Sequence, residues 1–86
     1  MKLIFSEQAW EDYLYWQKIE KKLLQRINDL IKEITRTPHT GTGKPEPLKH
    51  ALAGAWSRRI TEEHRLVYLP TEGELIILQA RYRYED

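Results

Sequence analysis

The chain between Lys44 and Tyr68 concentrates the side chains that are capable of acid–base chemistry. Its sequence is KPEPLKHALAGAWSRRITEEHRLVY, with a glutamate between two prolines, three arginines, two histidines, two lysines and a tryptophan. A hydrophobic core does not need this density of polar groups. A site that acts on a phosphate backbone does, because it needs cations for the phosphate and a carboxylate or imidazole to move a proton.

Of the catalytic sites built from such residues, a metal-free acid–base site for RNA fits this segment best. RNA supplies its own nucleophile, the 2′-hydroxyl, so the protein needs only a base for that proton and cations for the charge that develops on the phosphate. Glu46 is the candidate base, since Pro45 and Pro47 restrict the backbone around it. Arg65 is the candidate phosphate ligand, because a guanidinium binds phosphate through two hydrogen bonds.

The same residues allow plainer interpretations. A glutamate in a proline-rich loop is usually a solvated charge. Arg58 and Arg59 also suit a strand surface, paired with the acidic residues of the following turn, and His50 and His64 also suit surface or hydrogen-bonding positions. The sequence contains no P-loop, Rossmann glycine pattern, Cys–His pair or GxSxG motif. Residue types alone leave these alternatives open.

The composition is typical of one small domain, which we expect to span residues 1–86. There is no cysteine, so disulfides and thiolate metal sites are excluded and a reducing cytoplasm is the expected location. The three histidines lack metal-ligand spacing, and we expect neither a metal nor a cofactor. No apolar run approaches the roughly 20 residues of a membrane span. The net charge is only +1, but basic residues cluster between Lys44 and Arg83, which favours a local phosphate-binding face.

The first third of the chain predicts a strand and two helices. Lys2 to Phe5 is a short apolar run, and Ser6 is a good helix N-cap. Two helical stripes follow. A single helix through both would be about 45 Å long, so we place a break near Gln17–Lys21 and predict a helical hairpin. The stripes contain Trp10, Tyr13, Leu14 and Gln17, with Tyr15 and Trp16 beside them, and then Leu23, Ile27, Leu30, Ile31 and Ile34.

The remainder predicts a loop and three strands. Thr37-Pro38 ends the second helix, and His39 to Pro47 is an extended loop. Strands follow at Ala55 to Thr61, Arg65 to Leu69 and Leu75 to Tyr84, of which the last is the longest and emerges into the site. The predicted fold class is α+β, with two N-terminal helices packed on a twisted, mostly antiparallel sheet of four to five strands.

Nearly the whole chain resembles one known family. The segments MKLIFSEQAWEDYLYWQ, TGTGKPEPLKH, GAWSRRITEEHRLVY and RYRY are similar to those of the YoeB toxins of bacterial toxin–antitoxin systems, within the RelE/ParE-like superfamily. The resemblance implies a RelE-like fold and an endoribonuclease that cuts messenger RNA in the ribosomal A site. It also implies neutralisation by a cognate YefM-like antitoxin, whose disordered C-terminal segment folds over the toxin.

The resemblance also implies roles for individual residues. The family's general base falls on Glu46, its phosphate-stabilising arginine on Arg65, and the C-terminal tyrosine that helps to order the substrate on Tyr84. Lys49 and Arg59 match basic residues that are expected to touch RNA.

Position 83 departs from the family pattern, because the family has a histidine there as general acid and this chain has Arg83. Arginine stays protonated far above neutral pH and cannot deliver a proton in a catalytic cycle. It can still stabilise the phosphate or the leaving oxygen electrostatically. We therefore expect Arg83 to take part in catalysis with lower activity than a histidine gives.

The resemblance further implies a homodimer, with Trp10 and the aromatic face of the first helix as candidate contact surface, and contact with operator DNA only through the antitoxin. No membrane partner is expected. Two alternatives remain: a ParE-like, non-catalytic inhibitor of a topoisomerase, and an antitoxin-bound transcriptional co-repressor. The Glu46–Arg65 pair argues against the ParE-like function, because a protein that only binds needs no base.

Overall fold

A computed structural model describes residues 1–83, and their first third forms an edge strand and a pair of helices. The strand is β1 (Lys2–Phe5), and the helices are α1 (Glu7–Ile19) and α2 (Lys21–Ile34). Ser6 caps α1 as predicted. Its Oγ accepts a hydrogen bond from the Ala9 amide at 3.0 Å and donates one to the Leu78 carbonyl at 2.9 Å, which ties the start of the helix to the sheet.

The predicted break between the two helices is confirmed at Glu20. This residue has extended backbone angles (φ −151°, ψ 95°), and its amide still donates to the Trp16 carbonyl at 2.9 Å. Its side chain accepts from the Lys22 amide at 3.3 Å and so caps α2. The molecule measures 31 × 27 × 24 Å, so one uninterrupted helix of about 42 Å would not have fitted along it.

Within residues 1–83 the sheet has five strands in the order β1–β5–β4–β3–β2, where β2 is Glu46–Pro47, β3 is Trp56–Arg59, β4 is Arg65–Thr71 and β5 is Glu74–Gln79. β1 pairs with β5 in parallel, and the other neighbours are antiparallel. A short 3-10 turn, His50–Leu52, lies between β2 and β3. The predicted α+β class and the mostly antiparallel sheet are confirmed.

The core lies between the helices and one face of the sheet. The predicted stripe of α2 is confirmed, since Ile27, Leu30, Ile31 and Ile34 are buried. The prediction for α1 is wrong in part. Its buried residues are Ala9, Asp12 and Trp16, whereas Trp10 and Leu14 are 49% and 41% exposed. Asp12 is buried because its carboxylate binds backbone and side-chain donors, which the hydrophobic pattern does not reveal.

The predicted long last strand is wrong from Ala80 to Arg83, and its predicted end, Tyr84, lies outside the described residues. β5 has six residues, and the seven-residue β4 is the longest strand. The Ala80 amide donates to Asp12 Oδ2 at 2.9 Å, and the Ala80 carbonyl accepts from Trp16 Nε1 at 2.7 Å. Side chains of α1 thus occupy both backbone groups of Ala80. Arg81 lies over the ring of Tyr15, 3.6 Å from its centroid, so the predicted alternation of faces does not continue.

Two further boundaries differ from the prediction. β3 is shorter than the predicted Ala55 to Thr61, because the amides of Ile60 and Thr61 both turn to the carbonyl of His64, at 2.9 and 3.1 Å. β4 extends past Leu69 to Thr71. Across residues 1–83, no helix combines the length and apolarity that a membrane crossing requires.

Candidate functional site

Glu46 lies in the shortest strand of the sheet, at its edge. β2 consists of Glu46 and Pro47 alone, and in the antiparallel register Glu46 is opposite Ser57 of β3. The flanking prolines limit the backbone, and the side chain of Glu46 remains 57% exposed. A carboxylate in this position is accessible to a ligand while its backbone is fixed.

The loop that leads to Glu46 is held by a buried arginine. Arg58 is fully buried, and its guanidinium donates to three consecutive points of the loop: the carbonyls of Thr37 at 2.6 Å, Thr40 at 2.8 Å and Thr42 at 3.2 Å. Its Nε also donates to the Tyr68 hydroxyl at 3.1 Å. The sequence-based alternative of a surface strand position is therefore wrong for Arg58, because the loop carbonyls supply the acceptors that permit its burial.

The same network contains one carboxylate and one phenol. Glu33 Oε1 accepts from the Thr42 amide at 2.8 Å and lies 3.5 Å from Arg58 Nη1. The hydrogen bonds from Thr42, and then the charge of Arg58, lower the pKa of Glu33 below its ordinary value. Burial raises the pKa of Tyr68, whose hydroxyl donates to the Pro38 carbonyl at 2.8 Å. In this network the loop is attached to both α2 and the sheet.

Arg65 begins β4 and points toward Glu46. Its Nη1 lies 2.9 Å from Glu46 Oε1 and donates to Ser57 Oγ at 3.2 Å. The side chain is only 15% exposed, so most of its surface is shielded from solvent. The structure thus brings the two main candidates from the sequence into direct contact, although they are 19 positions apart. A carboxylate and a guanidinium at this distance form a charge-assisted pair.

The pair borders a cleft of about 240 Å³, which is lined by Glu46, Leu48, Ser57, Arg65 and Arg83. Arg83 is exposed, and its Nε and Nη2 donate to the Glu62 carbonyl at 3.3 and 2.9 Å. The cleft therefore combines one carboxylate with two guanidinium groups. This arrangement suits a ligand with a phosphate and a hydroxyl that must lose a proton.

The remaining predicted site residues are placed less closely. Arg59 is opposite Arg65 in the register of β3 and β4, so both side chains project from the same face of the sheet. Lys49 is exposed, precedes the 3-10 turn and does not line the cleft. Tyr84 lies outside the described residues. Their predicted roles in RNA contact and substrate ordering stay predictions.

The histidines are not placed as proton donors to the cleft, since neither His50 nor His64 lines it. The Nδ1 of His64 accepts a hydrogen bond from the Tyr82 amide at 2.8 Å, and the ring packs edge-on against Trp16. His50 is exposed and has a positive φ of 54°. Among residues 1–83, no three His, Cys, Asp or Glu side chains are grouped as metal ligands.

Sequence reasoning missed two residues that shape the site. Ser57 is buried and bonds Arg65, and its only signal was the alternation that placed it beside Arg59. Arg58 shares the alternation of Trp56 and Ile60, which points it to the core face. That signal was present in the sequence, but arginine is rarely buried, and the acidic residues of the following turn suggested surface partners for Arg58 instead.

Comparisons with known proteins agree over almost the full length of the chain. Residues 5–84 match the family model described as YoeB-like toxin of bacterial type II toxin–antitoxin system. The chain belongs to this family. Toxin YoeB of Escherichia coli K12 is 62% identical over 84 residues, which cover 98% of this chain and all of that protein.

Solved structures of YoeB proteins have the same fold. A YoeB/ParE toxin from Agrobacterium tumefaciens superposes with a TM-score of 0.93 at 48% identity, covering 98% of this chain and 100% of that one. The YoeB dimer from Staphylococcus aureus gives a TM-score of 0.91 at 46% identity, covering 98% of both chains. The Staphylococcus aureus YoeB has also been solved as a YoeB–YefM complex. The chain is therefore a toxin of a toxin–antitoxin system, and the predicted family and RelE-like fold are confirmed.

Proposed function

We propose that this YoeB-family toxin is an endoribonuclease that cleaves messenger RNA in the ribosomal A site without a metal ion. The observation that carries the proposal is the 2.9 Å contact of Glu46 Oε1 with Arg65 Nη1 at the border of a cleft that also contains Arg83. A base beside a phosphate ligand is the minimum that RNA cleavage by its own 2′-hydroxyl requires.

The reaction begins when Glu46 takes the proton of the 2′-hydroxyl. The 2′-oxygen then forms a bond to the adjacent phosphorus, and the bond from phosphorus to the 5′-oxygen of the next nucleotide breaks. The products are a 2′,3′-cyclic phosphate and a 5′-hydroxyl. Arg65 binds the non-bridging phosphate oxygens, whose negative charge increases in the transition state.

The leaving 5′-oxygen still needs a proton. Arg83 does not deliver it, because a guanidinium remains protonated throughout the accessible pH range. Arg83 instead stabilises the negative charge on the oxygen until water protonates it. The exposure of Arg83 and of the Glu46 side chain leaves the cleft open to that water.

The proposed partners are the ribosome with its message, a second copy of the toxin and a cognate YefM-like antitoxin, through which alone the toxin contacts operator DNA. Lys49 and Arg59 contribute cations to the RNA interface. The Staphylococcus aureus structures support the dimer and the antitoxin complex. For the dimer we propose the surface around Trp10, which is half exposed and borders an apolar groove of about 480 Å³ with Leu3, Phe5 and Tyr13.

The decisive test is cleavage of a ribosome-bound message by the Glu46→Gln variant. The amide has the size of the carboxylate but cannot act as the base, and we expect a loss of about 10²–10⁴-fold in rate. Glu72→Gln is the matched control. It removes an exposed carboxylate in the turn after β4, at the other end of that strand from Arg65, and should cleave like the wild type.

Two outcomes would contradict the proposal. Cleavage by Glu46→Gln within a few-fold of the wild type would show that Glu46 is not the base. Absence of cleavage by the wild-type protein, together with inhibition of a topoisomerase, would favour the ParE-like function. Circular dichroism of both variants establishes that any loss of activity does not come from unfolding.

A further inference from the structure

The residue before Arg83 is held in an unusual backbone conformation. Tyr82 has a φ of 63°, in the left-handed region that residues with a Cβ rarely adopt. Such a conformation persists only where surrounding contacts impose it. Tyr82 is 53% exposed, so burial of its own side chain is not the main contact that does so.

Tyr82 makes three hydrogen bonds through its backbone, of which the longest, at 3.4 Å, comes from Gln79 Nε2 to its carbonyl, and the other two involve the adjacent residues His64 and Arg65. Its amide donates to His64 Nδ1 at 2.8 Å, and its carbonyl accepts from the Arg65 amide at 3.1 Å. We call this pair of bonds the Tyr82 clamp. The clamp joins the candidate phosphate ligand, through its own backbone, to the segment that carries Arg83.

His64 is itself half-buried and held by contacts of both its backbone and its ring. Its amide donates to Thr61 Oγ1 at 3.0 Å, and its carbonyl accepts from the amides of Ile60 and Thr61. Its ring meets Trp16 edge-on, with centroids 4.8 Å apart, and lies 5.2 Å from the ring of Tyr82. The imidazole is therefore held with Nδ1 directed at the Tyr82 amide.

We propose that His64 is a positioning residue of the cleavage site, and this inference rests on the proposed endoribonuclease function. Its unprotonated Nδ1 keeps Tyr82 in the left-handed conformation and thereby places Arg83 at the cleft. The acceptor is essential, because its hydrogen bond with the Tyr82 amide is what offsets the cost of the left-handed conformation. Without that bond, the chain has less reason to keep this conformation. Arg83 then reaches the Glu62 carbonyl and the cleft from a fixed backbone.

Three substitutions of His64 distinguish the role of the hydrogen-bond acceptor from the role of the ring that packs against Trp16. Asparagine carries an oxygen on Cγ where histidine has Nδ1, so His64→Asn keeps an acceptor at the same place. His64→Gln moves the acceptor one atom further, to the place of Nε2. His64→Phe keeps a ring against Trp16 and removes the acceptor.

Cleavage of a ribosome-bound message at saturating substrate tests the role of the clamp. We expect His64→Phe and His64→Gln to lose about tenfold or more in rate, since small displacements of catalytic groups are costly, and His64→Asn to stay within a few-fold of the wild type. The concentration of ribosome-bound message that gives half of the maximal rate should change little in all three variants. Wild-type activity in His64→Phe, or an equal loss in His64→Asn and His64→Phe, would overturn the proposal.

Hydrogen exchange of the Tyr82 amide tests the clamp without any activity. Protection should be similar in the wild type and His64→Asn and at least tenfold lower in His64→Phe, and equal protection in all three would overturn the clamp. If the wild type cleaves no RNA, the proposed function fails, and the exchange measurement still decides whether His64 holds Tyr82.

Discussion

Replacing Arg58 with methionine should destabilise the protein more than any other single change at an arginine. Methionine fills a similar volume but has no donor. It would leave the carbonyls of Thr37, Thr40 and Thr42 and the hydroxyl of Tyr68 without the guanidinium that now binds them. The affected loop leads directly to Glu46, so stability and site geometry depend on the same side chain.

The magnitude follows from these four bonds. A hydrogen bond from a charged donor contributes about 1.5–3 kcal/mol, so four give an upper limit of about 6–12 kcal/mol. Two effects reduce the loss: the loop threonines are exposed, so their carbonyls can bind water, and methionine no longer requires a buried charge. We expect a net loss of about 3 kcal/mol, which lowers the melting temperature of a domain of this size by about 12–24 °C.

Urea unfolding followed by tryptophan fluorescence measures this loss. Arg36→Met is the matched control, because Arg36 is exposed and its replacement should change the free energy of unfolding by less than about 0.5 kcal/mol. If Arg58→Met unfolds within about 1 kcal/mol of the wild type, water replaces the guanidinium at little cost. The loop would then owe its conformation to its glycines and prolines.

Three further predictions concern charge. Because hydrogen bonds from Thr42 and the charge of Arg58 lower the pKa of Glu33 below 4.5 in the folded state, the stability it contributes is complete above that pH and is lost as the pH falls. The free energy of unfolding should therefore fall less steeply with decreasing pH in Glu33→Gln than in the wild type, and identical slopes in the two proteins would contradict this. Lys49→Ala and Arg59→Ala should each weaken RNA binding. Each lost phosphate contact should reduce the slope of log binding constant against log salt concentration by about 0.7, whereas an unchanged slope in both variants would exclude contact of these residues with phosphate. Arg83→His should raise the cleavage rate and introduce a group that titrates at about pH 6.5. Equal rates and equal pH profiles in both proteins would mean that the site works by electrostatics alone.

The elements that depend on local periodicity were predictable from the sequence. The stripe of α2 repeats at helical spacing over about three turns, and Ser6 is a strong local cap, so both appear where the pattern puts them. The break at Glu20 followed from length rather than from a helix-breaking residue. For the stripe and the cap the deciding interactions are close in sequence, which is why the pattern alone was sufficient.

The elements that depend on contacts between distant residues were not predictable. The alternating pattern after Gln79 continues through Arg81 and Arg83, but a strand needs a neighbour for its backbone, and α1 binds Ala80 instead. The burial of Arg58 likewise depends on carbonyls 16 to 21 positions away. Sequence alone does not show that these acceptors converge on one guanidinium.

The cleft combines a residue of a regular strand with residues of segments that depend on contacts between distant residues. Arg65 belongs to the longest strand, whereas Glu46 and Arg83 follow segments that are held by bonds between side chains and backbone. A phosphate can therefore be bound by the sheet even when the base or Arg83 is displaced. Disturbing either segment should lower the rate at saturation more than the affinity, because the lost interactions belong to the transition state rather than to the bound substrate. Under the proposed function we therefore expect Arg58 and His64, which touch no substrate, to determine how fast a bound message is cut.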